Sequence, residues 1–116
     1  MIEEHIKTIE KSVNEIVRLS EEGDKNFNQI VRWIMNKENH ADELSNIVTY
    51  YFMTQRLKLV DIKDSKAYKE YVNKLTLLHE MLIYSMKAKQ TTDLANVEKL
   101  MSLLDSFKNA YFEHKH

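Results

Sequence analysis

Apolar residues recur along this chain at steps of three and four, the spacing of one side of an α-helix. Ile2, Ile6, Ile9, Val13 and Ile16 make the first such stripe. Val17 and Leu19 widen it, and it fades at Ser20 and Gly23. The pattern predicts a helix that ends near Gly23, the only glycine and the residue best suited to a left-handed position past a helix end. A strict three–four alternation over two heptads also reads as a coiled-coil seam, in which case a homodimer is the simplest outcome. The broadened stripe favours instead a wall of the chain's own core.

The same reading carries on down the chain. Asp24 is placed to cap a second, short helix with Phe27, Ile30, Val31 and Ile34 on one face. The segment NKENHADEL interrupts that pattern, and Asn39 is the expected cap of a third helix carrying Leu44, Ile47, Val48 and Tyr51. IVTYYFM is β-branched and aromatic and on propensity alone resembles a strand. A lone strand among helices has no partner for its backbone groups, so the helical reading is preferred. KLVDIKDS reads as the longest connection, with Asp64 or Ser65 capping a fourth helix whose stripe is Tyr68, Val72, Leu75, Leu78, Leu82 and Met86. KQTT ends it, and Thr92–Asp93 opens a fifth with Leu94, Val97, Leu100, Leu104, Phe107 and Tyr111. The expected fold is all-α: a compact antiparallel bundle of four longer helices plus one short helix, in a single domain over residues 1–116.

Composition supports this. The 116 residues include one glycine and no proline, so little punctuates the backbone. Cysteine is absent, which removes disulfides, thiol nucleophiles and cysteine-ligated metal centres from consideration and suits a reducing cytoplasm. No uncharged apolar run reaches the roughly 18 residues of a membrane-spanning helix. A formal net charge of −1 hides an uneven distribution. Residues 1–24 hold three bases against seven acids, and residues 50–74 hold six bases against three acids.

Candidate chemistry is sparse. The only Glu-x-x-His spacing is Glu113–His116 at the chain's end, and His40 with Glu43 has the reverse order at the same interval. One such pair falls short of the paired motifs of bundle metal centres, so a solvated pair is expected and neither metal nor cofactor is assigned. His79, among Leu75, Leu82, Ile83 and Met86, sits on an apolar helical face. It is read as a core histidine, with a general base or phosphoacceptor, aided by Glu43 or Glu80, as the enzymatic alternative. No glycine-rich phosphate loop or nucleophile elbow is present. The basic stretch Arg56, Lys58, Lys63, Lys66, Lys69 and Lys74 offers a nucleic-acid alternative, weakened by scarce arginine and a slightly acidic total. The sequence alone therefore favours a non-enzymatic regulatory protein, bacterial or phage in its Lys/Asn/Ile-rich composition. On that reading it binds an unidentified protein partner through Trp33, Tyr50, Met53, Leu77, Met81 and Tyr84.

Overall fold

The computed structural model describes residues 1–113, with the side chains of Asp24 and Glu113 left aside. Four helices form an elongated antiparallel bundle: α1 (Ile2–Glu21), α2 (Phe27–Asn46), α3 (Ser65–Gln90) and α4 (Leu94–Glu113). A short 3₁₀ turn, Asp24–Asn26, leads into α2, and a π-helical segment, Ile47–Arg56, extends it. No strand occurs among the described residues. The long axis is 61 Å against 20 Å across.

α1 answers the question its stripe raises. Ile2, Ile6, Ile9, Val13, Ile16 and Leu19 are all buried, so the stripe is a wall of the home core. The helix stops where expected, with Gly23 at φ 87° and its N–H on the Ser20 carbonyl. The expected cap by the Asp24 carboxylate lies outside the described side chains.

The expected break at NKENHADEL is absent. α2 runs through Asn39 unbroken, because Ala41 and Leu44 pack into the core and Lys37 anchors to the next hairpin. Polar residues there cost a helix only tenths of a kcal/mol each, and tertiary packing outweighs that. IVTYYFM is helical as expected, but with i→i+5 bonding; it ends with Leu57 N–H on the Phe52 carbonyl at 2.7 Å. The wider turn moves the inward face to residues four apart. Leu44 and Val48 are buried and Phe52 packs behind them, while Tyr51 is turned outward. Phe52 meets Phe107 edge-to-face at 5.2 Å and Tyr111 at 6.1 Å.

Two expected faces are corrected. On α2, Phe27 and Val31 are exposed rather than core. The turn after α3 meets α2 at Lys37, so the ten residues before it reach past the α3–α4 hairpin by roughly 15 Å of helix. On α3 the buried side is Leu78, Met81, Ser85 and Ala88; of the expected stripe Leu78 is buried and Leu82 packs against the core, whereas Val72 and Met86 are exposed. Small residues decide this. Ser85 donates to the Ala41 carbonyl at 2.8 Å and accepts from Ser45 Oγ at 3.0 Å, letting α2 and α3 approach closely. α3 begins at Asp64, whose carboxylate accepts the Ala67 N–H. On α4 the expected Val97, Leu100, Leu104 and Phe107 are buried, joined by Leu103.

Candidate metal centre

α1 and α2 run antiparallel, and three contacts trace their register. Ser12 Oγ accepts from Asn36 Nδ2 at 3.0 Å, the Lys11 ammonium lies over the Trp33 ring at 5.8 Å, and His5 meets His40. The His5 and His40 Nδ1 atoms are 2.8 Å apart, so one ring donates its Nδ1 proton to the other's lone pair. The ring centroids lie 5.0 Å apart at a tilt of 46°. Glu43, one turn along α2 from His40, brings Oε2 to 3.5 Å from His5 Nδ1 and 4.0 Å from His40 Nδ1. Helix geometry places His40 and Glu43 on one face, and hairpin packing supplies His5.

Among the described residues these three side chains form the group that could hold a metal ion, with their donor atoms within 4.8 Å of one another. The imidazoles are half-buried and fixed by the helix interface, whereas the Glu43 side chain is 58% exposed and free to swing. Beside it on α2, Asp42 is tied to Lys89 of α3 at 2.9 Å.

The other candidates disperse. His79 is exposed, because with Leu78 and Met81 buried the neighbouring position points outward; no convergence with Glu43 results. Of the six residues expected to bind a partner, Met81 is wholly buried, and Met53, Leu77 and Tyr84 pack against the core. Trp33 is half-covered on α2, and Tyr50 is 64% exposed. With Met81 inside, the six do not make one surface. The basic residues divide: Arg56, Lys58 and Lys74 line a cavity of about 280 Å³ with Phe52, Tyr71 and Tyr111, while Lys63, Lys66 and Lys69 do not line it. Arg56 Nε donates to the Tyr111 hydroxyl at 2.9 Å. His116 lies outside the described residues. No described helix is long and apolar enough to cross a membrane.

The fold and the cluster define a helical bundle with imidazole and carboxylate donors gathered between two of its helices. A family model, nickel-containing superoxide dismutase, matches residues 1–115. The chain belongs to that family. Searches of curated proteins and of solved structures give no significant match. Family membership overturns the expectation of a non-enzymatic regulatory protein, since the family is one of enzymes. The missing catalytic motifs misled because they belong to hydrolytic and nucleotide chemistry, whereas a metal enzyme needs little more than a few ligating side chains.

The donors present are of a kind that divalent first-row ions accept. Imidazole nitrogen binds divalent nickel well, and carboxylate oxygen accompanies it in tetragonal sites. With no cysteine in the sequence, the shell these residues supply is one of nitrogen and oxygen alone.

Proposed function

We propose that the chain catalyses the disproportionation of superoxide at a bound metal ion. The family match across residues 1–115 carries this reading. The His5–His40–Glu43 cluster supports it as a place for the ion within the chain. A bound redox metal supplies the electron exchange by which two superoxide ions and two protons become one dioxygen and one hydrogen peroxide.

The protein's own contribution is to fix and tune the ligands. Packing of α1 against α2 brings the two Nδ1 atoms together with the rings tilted by 46°, so little ordering remains to be done on binding. The acid-rich first helix adds a negative field that favours a cation over bulk solution. The reading extends to the cytoplasm as location, where a chain without cysteine forgoes nothing.

The test is superoxide decay followed by stopped-flow absorbance. Full-length protein is loaded in parallel with nickel(II), iron(II) or copper(II) and cleared of free ion on a chelating resin. Decay faster than with the metal-free protein is expected in at least one arm. Decay at the metal-free rate in all of them would refute the reading.

A further inference from the structure

We propose that the end of the bundle where the π-helical segment meets α3 and α4 binds a small aromatic carboxylate, one ring or two fused rings carrying a single acid group. The site shares no residue with the His5–His40–Glu43 cluster, and nothing in it depends on a bound metal.

Shape and charge carry the argument together. The cavity there measures about 280 Å³, against roughly 150 Å³ for an apolar cavity that takes up benzene, so one ring fits with room for a second or for its acid group. Phe52, Tyr71, Phe107 and Tyr111 supply the aromatic lining. Phe107 is buried and stacks with Tyr111 at 5.6 Å, and Phe52 meets both edge-to-face, so these walls are in place before a guest arrives. On such a lining an aromatic guest gains offset or edge contacts beyond the area it buries.

The charges select the guest further. Among the described residues the lining carries three cations, Arg56, Lys58 and Lys74, against one carboxylate, Glu70. Arg56 is held twice: its Nε donates to the Tyr111 hydroxyl at 2.9 Å and its guanidinium lies over the Tyr51 ring at 5.8 Å. The paired terminal nitrogens of that fork match the two oxygens of a carboxylate. From α3, Lys74 places its ammonium 5.8 Å from the centre of the Tyr111 ring. Both cations therefore border one aromatic wall, and a guest stacked there brings its acid group within their field. Glu70 opposes a second negative group, which limits the guest to one.

The experiment is titration of isotope-labelled full-length protein with naphthoate, followed by backbone amide shifts and by calorimetry. Naphthamide, octanoate and inorganic phosphate are run in parallel. One equivalent of naphthoate is expected to bind with a Kd of about 1 mM or tighter, with the largest shifts at Phe52, Tyr71 and Phe107. Naphthamide keeps the rings and drops the charge, octanoate keeps the charge and drops the rings, and each should bind at least about fivefold more weakly. Phosphate should leave those amides unmoved. Arg56→Gln and Lys74→Gln should each weaken naphthoate by about tenfold, the lower end for a bond to a charged group. Lys63→Gln, outside the lining, should change nothing. Ala67→Leu fills the cavity with every charge in place and should abolish binding. Circular dichroism checks the fold of each variant, and the ligand series on the wild type decides without them.

Naphthoate that fails to saturate, or that moves amides elsewhere, would overturn the site. Naphthamide bound as tightly would remove the role of the cations, and octanoate bound as tightly the role of the rings; either result refutes the aromatic carboxylate. Phosphate acting on the same amides would reduce the site to an anion patch and refute it too. Binding indifferent to Ala67→Leu would refute the location. None of these outcomes bears on superoxide decay, so the proposed function stands or falls separately.

Discussion

Among the described residues Lys37 is the buried cation, only 3% exposed in the middle of α2. Its ammonium donates to the carbonyl of Thr91 at 2.6 Å, the residue that ends α3, where the negative end of the helix dipole favours a cation. Two substitutions separate its parts. Lys37→Met keeps most of the apolar stem and removes the hydrogen bond, which is worth about 1.5–3 kcal/mol for a charged donor. Part of that loss is returned, because burial of the ammonium is costly and holds the Lys37 pKa below its ordinary value of 10.5, with only the Glu38 charge opposing. The net expectation near neutral pH is a loss of about 1 kcal/mol, or about 4 °C in melting temperature for a domain of this size. Lys37→Ala also forfeits the buried stem and should cost about 2 kcal/mol more.

The pH dependence has a definite sign. The folded chain releases the Lys37 proton before the unfolded chain does, so between the lowered value and 10.5 the unfolded state binds more protons and stability rises with pH. The wild-type advantage over Lys37→Met should therefore widen as pH climbs through that window, as read from urea titrations followed by circular dichroism. A Lys37→Met protein as stable as the wild type near neutral pH would refute the account of the bond. An advantage that stays flat with alkaline pH would refute the account of burial.

Other positions give simpler expectations. Met81→Ala empties a wholly buried site and should cost about 2–4 kcal/mol in urea-unfolding free energy. Gly23→Ala meets no neighbouring atom yet must hold φ 87°, so about 1 kcal/mol of backbone strain is expected from the same measurement. Asp64→Ala removes the α3 cap and should cost about 1 kcal/mol, with amide exchange speeding up first at Ala67. Tyr50→Glu, on an exposed ring, should shift stability by no more than about 0.5 kcal/mol.

What the sequence shows and what it hides follow from the range of the forces involved. Stripes and stops are local, so α1, α4, the Gly23 terminus and the Asp64 start are legible from spacing and capping alone. The inward face of α3 is not, because it is chosen by how closely α2 can approach, and Ser85 and Ala88 carry no hydrophobic signal that announces this. The π-helical segment hides for a similar reason. IVTYYFM satisfies a helical and an extended pattern alike, and its register is settled by Phe52 finding Phe107 and Tyr111 from α4.

The His5–His40–Glu43 cluster is half visible in the sequence. His40 and Glu43 announce themselves by spacing, but His5 lies thirty-five residues away and carries no local sign of belonging with them. The missing step is topological. Once α2 is taken as unbroken through NKENHADEL, folding the chain back about Gly23 sets residues at nearly equal distances from that turn opposite one another, and His5 and His40 stand in that relation. The expected break in α2 removed the ruler by which this could be measured. It also made His40 and Glu43 look like a solvated pair at a helix start, when they lie in the body of a helix facing a neighbour. A donor set assembled by the pairing of two long helices is thus readable only after the continuity of both is known, and here that continuity depends on Ala41 and Leu44 in the core and on Lys37 reaching the end of α3.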